Sequence, residues 1–417
     1  GNSGWGCAFA DYDVDGHVDF VITSAHNFTG TNPNRLLHNL GDGTFARDTG
    51  TDVTGAPDAY TVPTWSDYDM DGDPDLSIAA GPADGSVDLD YLFRNQTRQG
   101  DTPRLLRVLV APMATDLHDG QVWNWVDIDN DGDLDLYVTN YGAVTAIAND
   151  LYRNEAGTFV RQTAAMAGPI VTDRARSLAS VWADFDNDGD LDCVVTNDAT
   201  STNRFYLNNG AGVFSALALG ALTTDAGPHF GACAADYDKD GDLDLFVNGT
   251  GSRKALFRND TVPGKHWAQF ALRGTVSNRA AIGARVRVKA TIAGQPRWQL
   301  REVSAQNSFN GHNDLVAHFG LGDATLIDSL EVTWPSGLRE RIGSLAVDSC
   351  RELVEGELSP TPLALAFEPT AGGFANGHVT VAWQASRAVP GWVDIERAEL
   401  GVGSSVSGTA WRRLATR

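Results

Sequence analysis

A chain of 417 residues with 44 glycines, 42% apolar and 9% aromatic residues has enough material for two or three packed domains and is too apolar to stay disordered. Its 54 acidic against 31 basic side chains leave a net charge of −23, which speaks against a nucleic-acid partner. No apolar run approaches the roughly 18 residues of a membrane-spanning helix.

The first feature in chain order is an acidic nonapeptide, "DYDVDGHVD", with Asp11, Asp13, Asp15, His17 and Asp19 at its odd positions. It returns four times. The second copy holds Asp67, Asp69, Asp71, Asp73 and Asp75, and the third holds Asp127, Asp129, Asp131, Asp133 and Asp135. The fourth holds Asp184, Asp186, Asp188, Asp190 and Asp192, and the fifth Asp236, Asp238, Asp240, Asp242 and Asp244. The shared frame is D-x-D-x-D-G-x-x-D, with Gly16, Gly72, Gly132, Gly189 and Gly241 at position six.

Alternate residues of a tight loop aim their carboxylates at one centre, and the glycine permits the turn at positive φ. Ca²⁺ takes six to eight oxygens at about 2.3–2.6 Å in a tolerant geometry, which this donor set suits. The carboxylates at positions one, three, five and nine, with the backbone carbonyl of position seven, are the expected ligands, for about five ions. Mg²⁺ prefers to keep its waters. Zn²⁺ lacks a His/Cys cluster. An EF-hand would need Glu at position twelve and a following helix. Here apolar, β-branched runs follow ("FVITS", "LYVTN", "CVVTN"), so the loops join strands. An acidic turn that binds nothing is the plainer reading, but five such copies would leave their aspartates repelling one another.

The copies start 56, 60, 57 and 52 residues apart. Two residues before each first Asp stand Phe9, Trp65, Trp125, Trp182 and Ala234. A further strand ends in Asn39, Asn95, Asn154, Asn208 and Asn259, and a Gly turn with a Phe follows in three copies. Four strands per repeat of this length make a β-propeller blade. The pattern over residues 1–262 resembles the FG-GAP/VCBS repeat family, whose blades carry D-x-D-x-D-G-x-x-D calcium loops.

The Asp-rich loops then stop. Residues 265–356 carry "NRAAIGARV", "HFGLGDA" and "EVTWPSG", which together resemble the ASPIC/UnbV domain that accompanies such repeats in cartilage acidic proteins and bacterial secreted proteins. "QNSFNGHND" departs from the family's Gly/Ser-rich form. After a Pro-containing linker, residues 361–417 hold "HVTVAWQAS", "GWVDIERAEL" and "WRRLATR", read as part of a fibronectin-III-like sandwich. Its open edges call either for strand addition from another chain or for the missing half of the sandwich beyond Arg417. The fold class is therefore all-β: a propeller, a β-rich ASPIC/UnbV domain and a partial sandwich.

No catalytic constellation emerges. There is no G-x-S-x-G elbow. His312 and His318 flank Asp314 and are a weak metal or acid/base candidate. Trp65, Trp125 and Trp182 recur at one strand position, which favours core packing over sugar stacking. Cys7, Cys193, Cys233 and Cys350 form no CxxC and read as buried free thiols. Sequons occur at Asn27, Asn95, Asn248 and Asn259. The resulting expectation is a secreted or cell-surface calcium-binding module for adhesion or structure, with a protein or glycan partner, itself included. The competing expectation is a secreted lyase or hydrolase.

Overall fold

The computed structural model describes residues 4–24, 33–55, 60–81, 87–97, 104–250, 254–260 and 264–357, and the strands 367–375, 378–385, 396–398 and 411–413. Two compact units result, Gly1–Pro360 and Thr361–Arg417.

Each acidic nonapeptide joins the first two strands of a meander. In the first repeat Gly4–Ala10, Asp19–Ser24, Arg35–Asn39 and Phe45–Asp48 pair antiparallel in chain order. The second uses Tyr60–Ser66, Asp75–Ala80, Tyr91–Asn95 and Leu105–Val108. The third uses Gly120–Val126, Asp135–Asn140, Asp150–Glu155 and Thr158–Arg161. The fourth uses Ser177–Ala183, Asp192–Asn197, Arg204–Asn208 and Phe214–Leu217. Among the described residues the fifth has three strands, His229–Ala235, Asp244–Gly249 and Ala255–Phe257. The first strands of successive sheets pack side by side, the radial order of propeller blades. Such an inner strand is covered on both faces, and Tyr60–Ser66 is buried at every residue.

The recurring aromatics fill the seams between blades. Trp65 stacks on Tyr12 of the preceding blade with ring centroids 6.1 Å apart, and Trp125 stacks on Tyr68 at 5.0 Å. Trp182 packs in one cluster with Ile128, and Ala234 in another with Phe185. So in the second to fifth repeats the residue two before the loop packs with the second loop residue of the previous blade, whereas Phe9 in the first is exposed. The tryptophans are core, as their strand position implied.

Two further sheets follow. Ala317–Gly322, His266–Arg273 and Ser349–Val354 form one, with the last two strands parallel. Gln295–Glu302, Arg285–Ile292, Leu326–Thr333 and Arg339–Ala346 form the other. Phe270 and Phe319 from the first share a core with Val286, Val288 and Leu330 from the second and with Trp334.

This pair of sheets rests on the loop ends of the blades. The Gly322 N–H donates to the Asn187 carbonyl at 2.8 Å. A Cβ on Gly320 would fall 2.1 Å from the Asp184 carboxylate, so only glycine allows that approach. The divergent segment "QNSFNGHND" runs along the first strand of the fifth blade. Ala232 donates to Ser308 Oγ (3.2 Å), Ala234 donates to Asn313 Oδ1 (2.9 Å), and Asp314 donates to the Ala234 carbonyl (3.0 Å).

In the second unit Phe367–Ala375 pairs antiparallel with His378–Ala385, and Glu396–Ala398 with Trp411–Arg413. The residues needed to judge strand addition there lie outside the described ones. Of the four free thiols, Cys193 is buried, Cys233 is half-buried, and Cys7 and Cys350 are exposed. The expectation of buried thiols thus fails for two. Their strands alternate faces, and these cysteines fall on the solvent side.

Candidate metal centres

All five nonapeptides adopt one conformation. Position four is left-handed in each (Val14 φ 58°, Met70 60°, Asn130 60°, Asn187 56°, Lys239 64°), and the position-six glycines lie at φ 92° to 101°. For Val14 the left-handed region is sterically costly, so the loop imposes it against local preference. The glycine N–H donates to Oδ2 of the first Asp at 3.0, 3.0, 3.2, 2.8 and 3.0 Å in the five loops. The N–H of position seven donates to Oδ1 of the fifth residue (Asp15, Asp71, Asp131, Asp188, Asp240) at 2.8 to 3.2 Å.

The backbone therefore gathers the carboxylates. Oxygens of Asp11, Asp13 and Asp19 lie within 4.8 Å of one another, and so do those of Asp67, Asp69 and Asp71. The same holds for Asp127, Asp129 and Asp135, and for Asp184, Asp186 and Asp188. Four of the five position-seven side chains point elsewhere. Asp190 takes Arg297 (3.2 Å) and Asn130 (2.9 Å), Asp242 takes Asn187 (2.7 Å), Asp133 accepts from the Ala156 N–H (3.2 Å), and His17 is exposed. In those four loops the backbone carbonyl of position seven is the remaining candidate; Asp73 of the second loop is itself buried.

The ninth residue is held by a partner that sequence reasoning did not identify. The Asn closing the third strand of each blade donates its N–H to Oδ1 of that aspartate. The pairs are Asn39–Asp19 (2.7 Å), Asn95–Asp75 (2.7 Å), Asn154–Asp135 (2.7 Å), Asn208–Asp192 (2.9 Å) and Asn259–Asp244 (2.8 Å). Its side-chain amide also donates to the carbonyl of loop position eight in every blade, at 3.0 to 3.2 Å. The recurrence of this Asn was visible in the sequence; its target was not. Two sequons, at Asn95 and Asn259, are thereby committed to structural hydrogen bonds, while Asn248 is exposed.

In four blades a basic residue just before that strand-closing Asn faces the third position. Arg94 meets Asp69 at 2.5 Å, Arg153 pairs with Asp129, Arg258 lies 3.7 Å from Asp238, and in the first blade His38 lies 3.6 Å from Asp13. From the second sheet pair, Arg285 pairs with Asp67 Oδ2 at 2.7 Å and Gln269 Nε2 donates to Asp236 Oδ2 at 2.7 Å. Arg301 is enclosed among Asp184, Asp127 and Asp190; burial pulls its pKa down while those carboxylates push it back up.

Burial, reinforced by neighbouring carboxylates, pushes the acids up: Asp67 to about 6, Asp11 and Asp127 to about 7, Asp19 and Asp184 to about 8, Asp75 and Asp192 to about 9. Asp13 Oδ1, Asp67 Oδ1, Asp127 Oδ1 and Asp129 Oδ1 are buried and accept no hydrogen bond. Orphaned, desolvated oxygens in an all-oxygen donor set are what a hard divalent cation satisfies, and the residues fit Ca²⁺ on that ground.

The histidine candidate does not assemble. His318 is buried with Nε2 on the Gly241 carbonyl (3.0 Å), and burial drives its pKa down to about 4. His312 is exposed, against the Asn313 carbonyl.

Residues 11–78, 127–195 and 184–247 match the FG-GAP-like repeat family, and residues 274–360 match the ASPIC and UnbV family. The chain is an FG-GAP-repeat propeller carrying an ASPIC/UnbV domain. Cartilage acidic protein 1 of Mus musculus is 27% identical over 221 residues, 51% of this chain and 33% of that protein. Its Homo sapiens counterpart is 30% identical over 167 residues, 38% of this chain and 24% of that protein. The FG-GAP chain thus spans a third or less of the length of these relatives. Among solved structures, an Agrocybe aegerita lectin that recognises non-reducing terminal N-acetylglucosamine superposes with TM-score 0.40 at 16% identity, over 76% of this chain and 85% of its own. The V. cholerae biofilm matrix protein Bap1 gives 0.36 at 11% identity, over 82% and 59%. Both superpositions are loose, and the propeller assignment rests on the blade packing.

Proposed function

We propose that this FG-GAP/ASPIC protein is an extracellular calcium-binding module that works by adhesion or as a structural component, with a protein or glycan surface, or a second copy of itself, as partner. The observation that carries the calcium reading is the convergence of three carboxylates within 4.8 Å in loops of four blades, all in one frame. Asp11, Asp67, Asp127, Asp184 and Asp236 would each contribute the first ligand, with positions three, five and nine and the carbonyl of position seven completing the set. The ions would neutralise buried aspartates and so make the blade ends rigid. Extracellular modules bind Ca²⁺ at about 10⁻⁴–10⁻³ M, which suits sites that stay loaded outside cells. Membership of the FG-GAP and ASPIC/UnbV families supports the same reading. Calcium titration followed by calorimetry tests it: about five ions per chain are expected, and none or one would overturn it.

A further inference from the structure

The first aspartate of each loop presents two distinct oxygens. Oδ2 accepts the glycine N–H in every loop. In the second and fifth loops the same Oδ2 also takes a donor from the ASPIC/UnbV sheets: Arg285 on Asp67 at 2.7 Å and Gln269 on Asp236 at 2.7 Å. Oδ1 of Asp67, a residue 5% exposed, stays buried and unpartnered, as does Oδ1 of Asp127, which is 2% exposed. Around Asp67 the attachment is doubled, since Glu302 accepts the Asp67 N–H (3.2 Å) and the Ser66 hydroxyl (2.6 Å). Arg301 from the same strand lines one cavity with Asp127 and Asp184 of the third and fourth loops. Asp67 is thus held from outside on Oδ2 and left open toward the loop on Oδ1, while Asp236 is held from outside on Oδ2 and accepts the Asp240 N–H on Oδ1 at 3.2 Å.

We infer that the ASPIC/UnbV sheets form the outer sphere of the propeller's metal loops, with Arg285 and Gln269 as positioning residues, so that ion binding and docking of the two parts strengthen each other. This rests on the calcium reading above. Groups that orient a ligand from behind are worth about 10–100-fold in metal affinity. By linkage, whatever the docked sheets add to ion affinity, the ions add to docking. The first loop is a built-in comparison: the hydrogen bonds that Asp11 accepts come from its own loop, from the Asp15 N–H at 2.9 Å and the Gly16 N–H at 3.0 Å.

The test uses the whole chain and Ca²⁺ alone. Calorimetric titration of Arg285→Met should show one of the five sites weakened about tenfold or more. Gln269→Leu should do the same to a different one, so that the double variant loses two. Arg285→Lys, which keeps the charge, should restore part of the loss. Hydrogen exchange across residues 295–316 should be slower in calcium than in EDTA, and that difference should shrink in the variants. Unchanged affinities in both single variants, or equal exchange in calcium and EDTA while about five ions bind, would overturn this inference and leave the calcium reading standing. A wild-type chain that binds no calcium would overturn both.

Discussion

The side-chain amide of Asn95, in the second blade, donates to the main-chain carbonyl of Tyr12 in the first, 2.7 Å away. Asn208 reaches Ile128 (2.8 Å) and Asn259 reaches Phe185 (2.7 Å) in the same way. One residue type thus holds the ninth aspartate of its own loop and the second residue of the loop before. That second residue also packs with the residue two before the neighbouring loop, Trp65 for Tyr12, Trp182 for Ile128 and Ala234 for Phe185, so loop geometry and blade seam are one construction.

Asn208→Ala should therefore destabilise the propeller well beyond a surface change. It leaves the carbonyls of Ile128 and Leu191 without their side-chain donor in a buried setting, at a cost of about 1–3 kcal/mol per group. Urea denaturation monitored by tryptophan fluorescence is expected to show the midpoint fall. An unchanged midpoint would mean that water replaces the amide without loss.

Removal of calcium should lower the melting temperature sharply. At free Ca²⁺ ten times Kd, each site contributes about 1.4 kcal/mol by mass action, and five independent sites roughly 7 kcal/mol. That rivals the whole stability of an ordinary domain. Calorimetric scans in calcium and in EDTA check this, and coincident scans would contradict it.

Asp129→Ala should abolish the ion of the third loop. Its neighbour Asn130 donates to the Gly189 carbonyl (3.1 Å) and to Asp190 (2.9 Å) in the fourth loop, so that site should weaken by less than about tenfold. The first and second loops should keep their affinity. Bound-calcium analysis that found all five ions lost would show a cooperative ring instead of local sites.

Glu355 supplies a pH prediction in the ASPIC/UnbV sheets. Burial would raise its pKa, but hydrogen bonds from Ser336, from the N–H groups of Thr275, Val276 and Ser277 and from the Ser277 hydroxyl outweigh it and pull it down to about 2 from the usual 4.5. A folded pKa below the unfolded one means stability that is present above about 4.5 and lost as pH falls through about 2. Glu355→Gln should be less stable than wild type at pH 7, with the gap closing between those two values. Parallel acid titrations by circular dichroism are the check; a gap that persists at pH 2 would count against it.

How much was readable in advance depends on distance along the chain. The nonapeptide was legible because its ligands and its turn glycine lie within nine residues, so spacing alone implies convergence. The blades were legible because the strand run, the Asn and the aromatic position recur with the loop. By contrast, His312 and His318 looked paired in sequence, yet His312 lies in an exposed loop and His318, on the strand Ala317–Gly322, is buried against the Gly241 carbonyl.

The sequence by itself determined the five oxygen-rich loops and the propeller that carries them, since both follow from short-range periodicity and local turn chemistry. Only the tertiary structure decided what stands behind the loops. Arg285 lies 218 positions from Asp67 in number and 2.7 Å from it in space, and Gln269 reaches Asp236 across 33 residues. Those pairings arise because sheets far apart in the chain pack within one compact unit, and no local pattern along the chain encodes which charged ends will then meet.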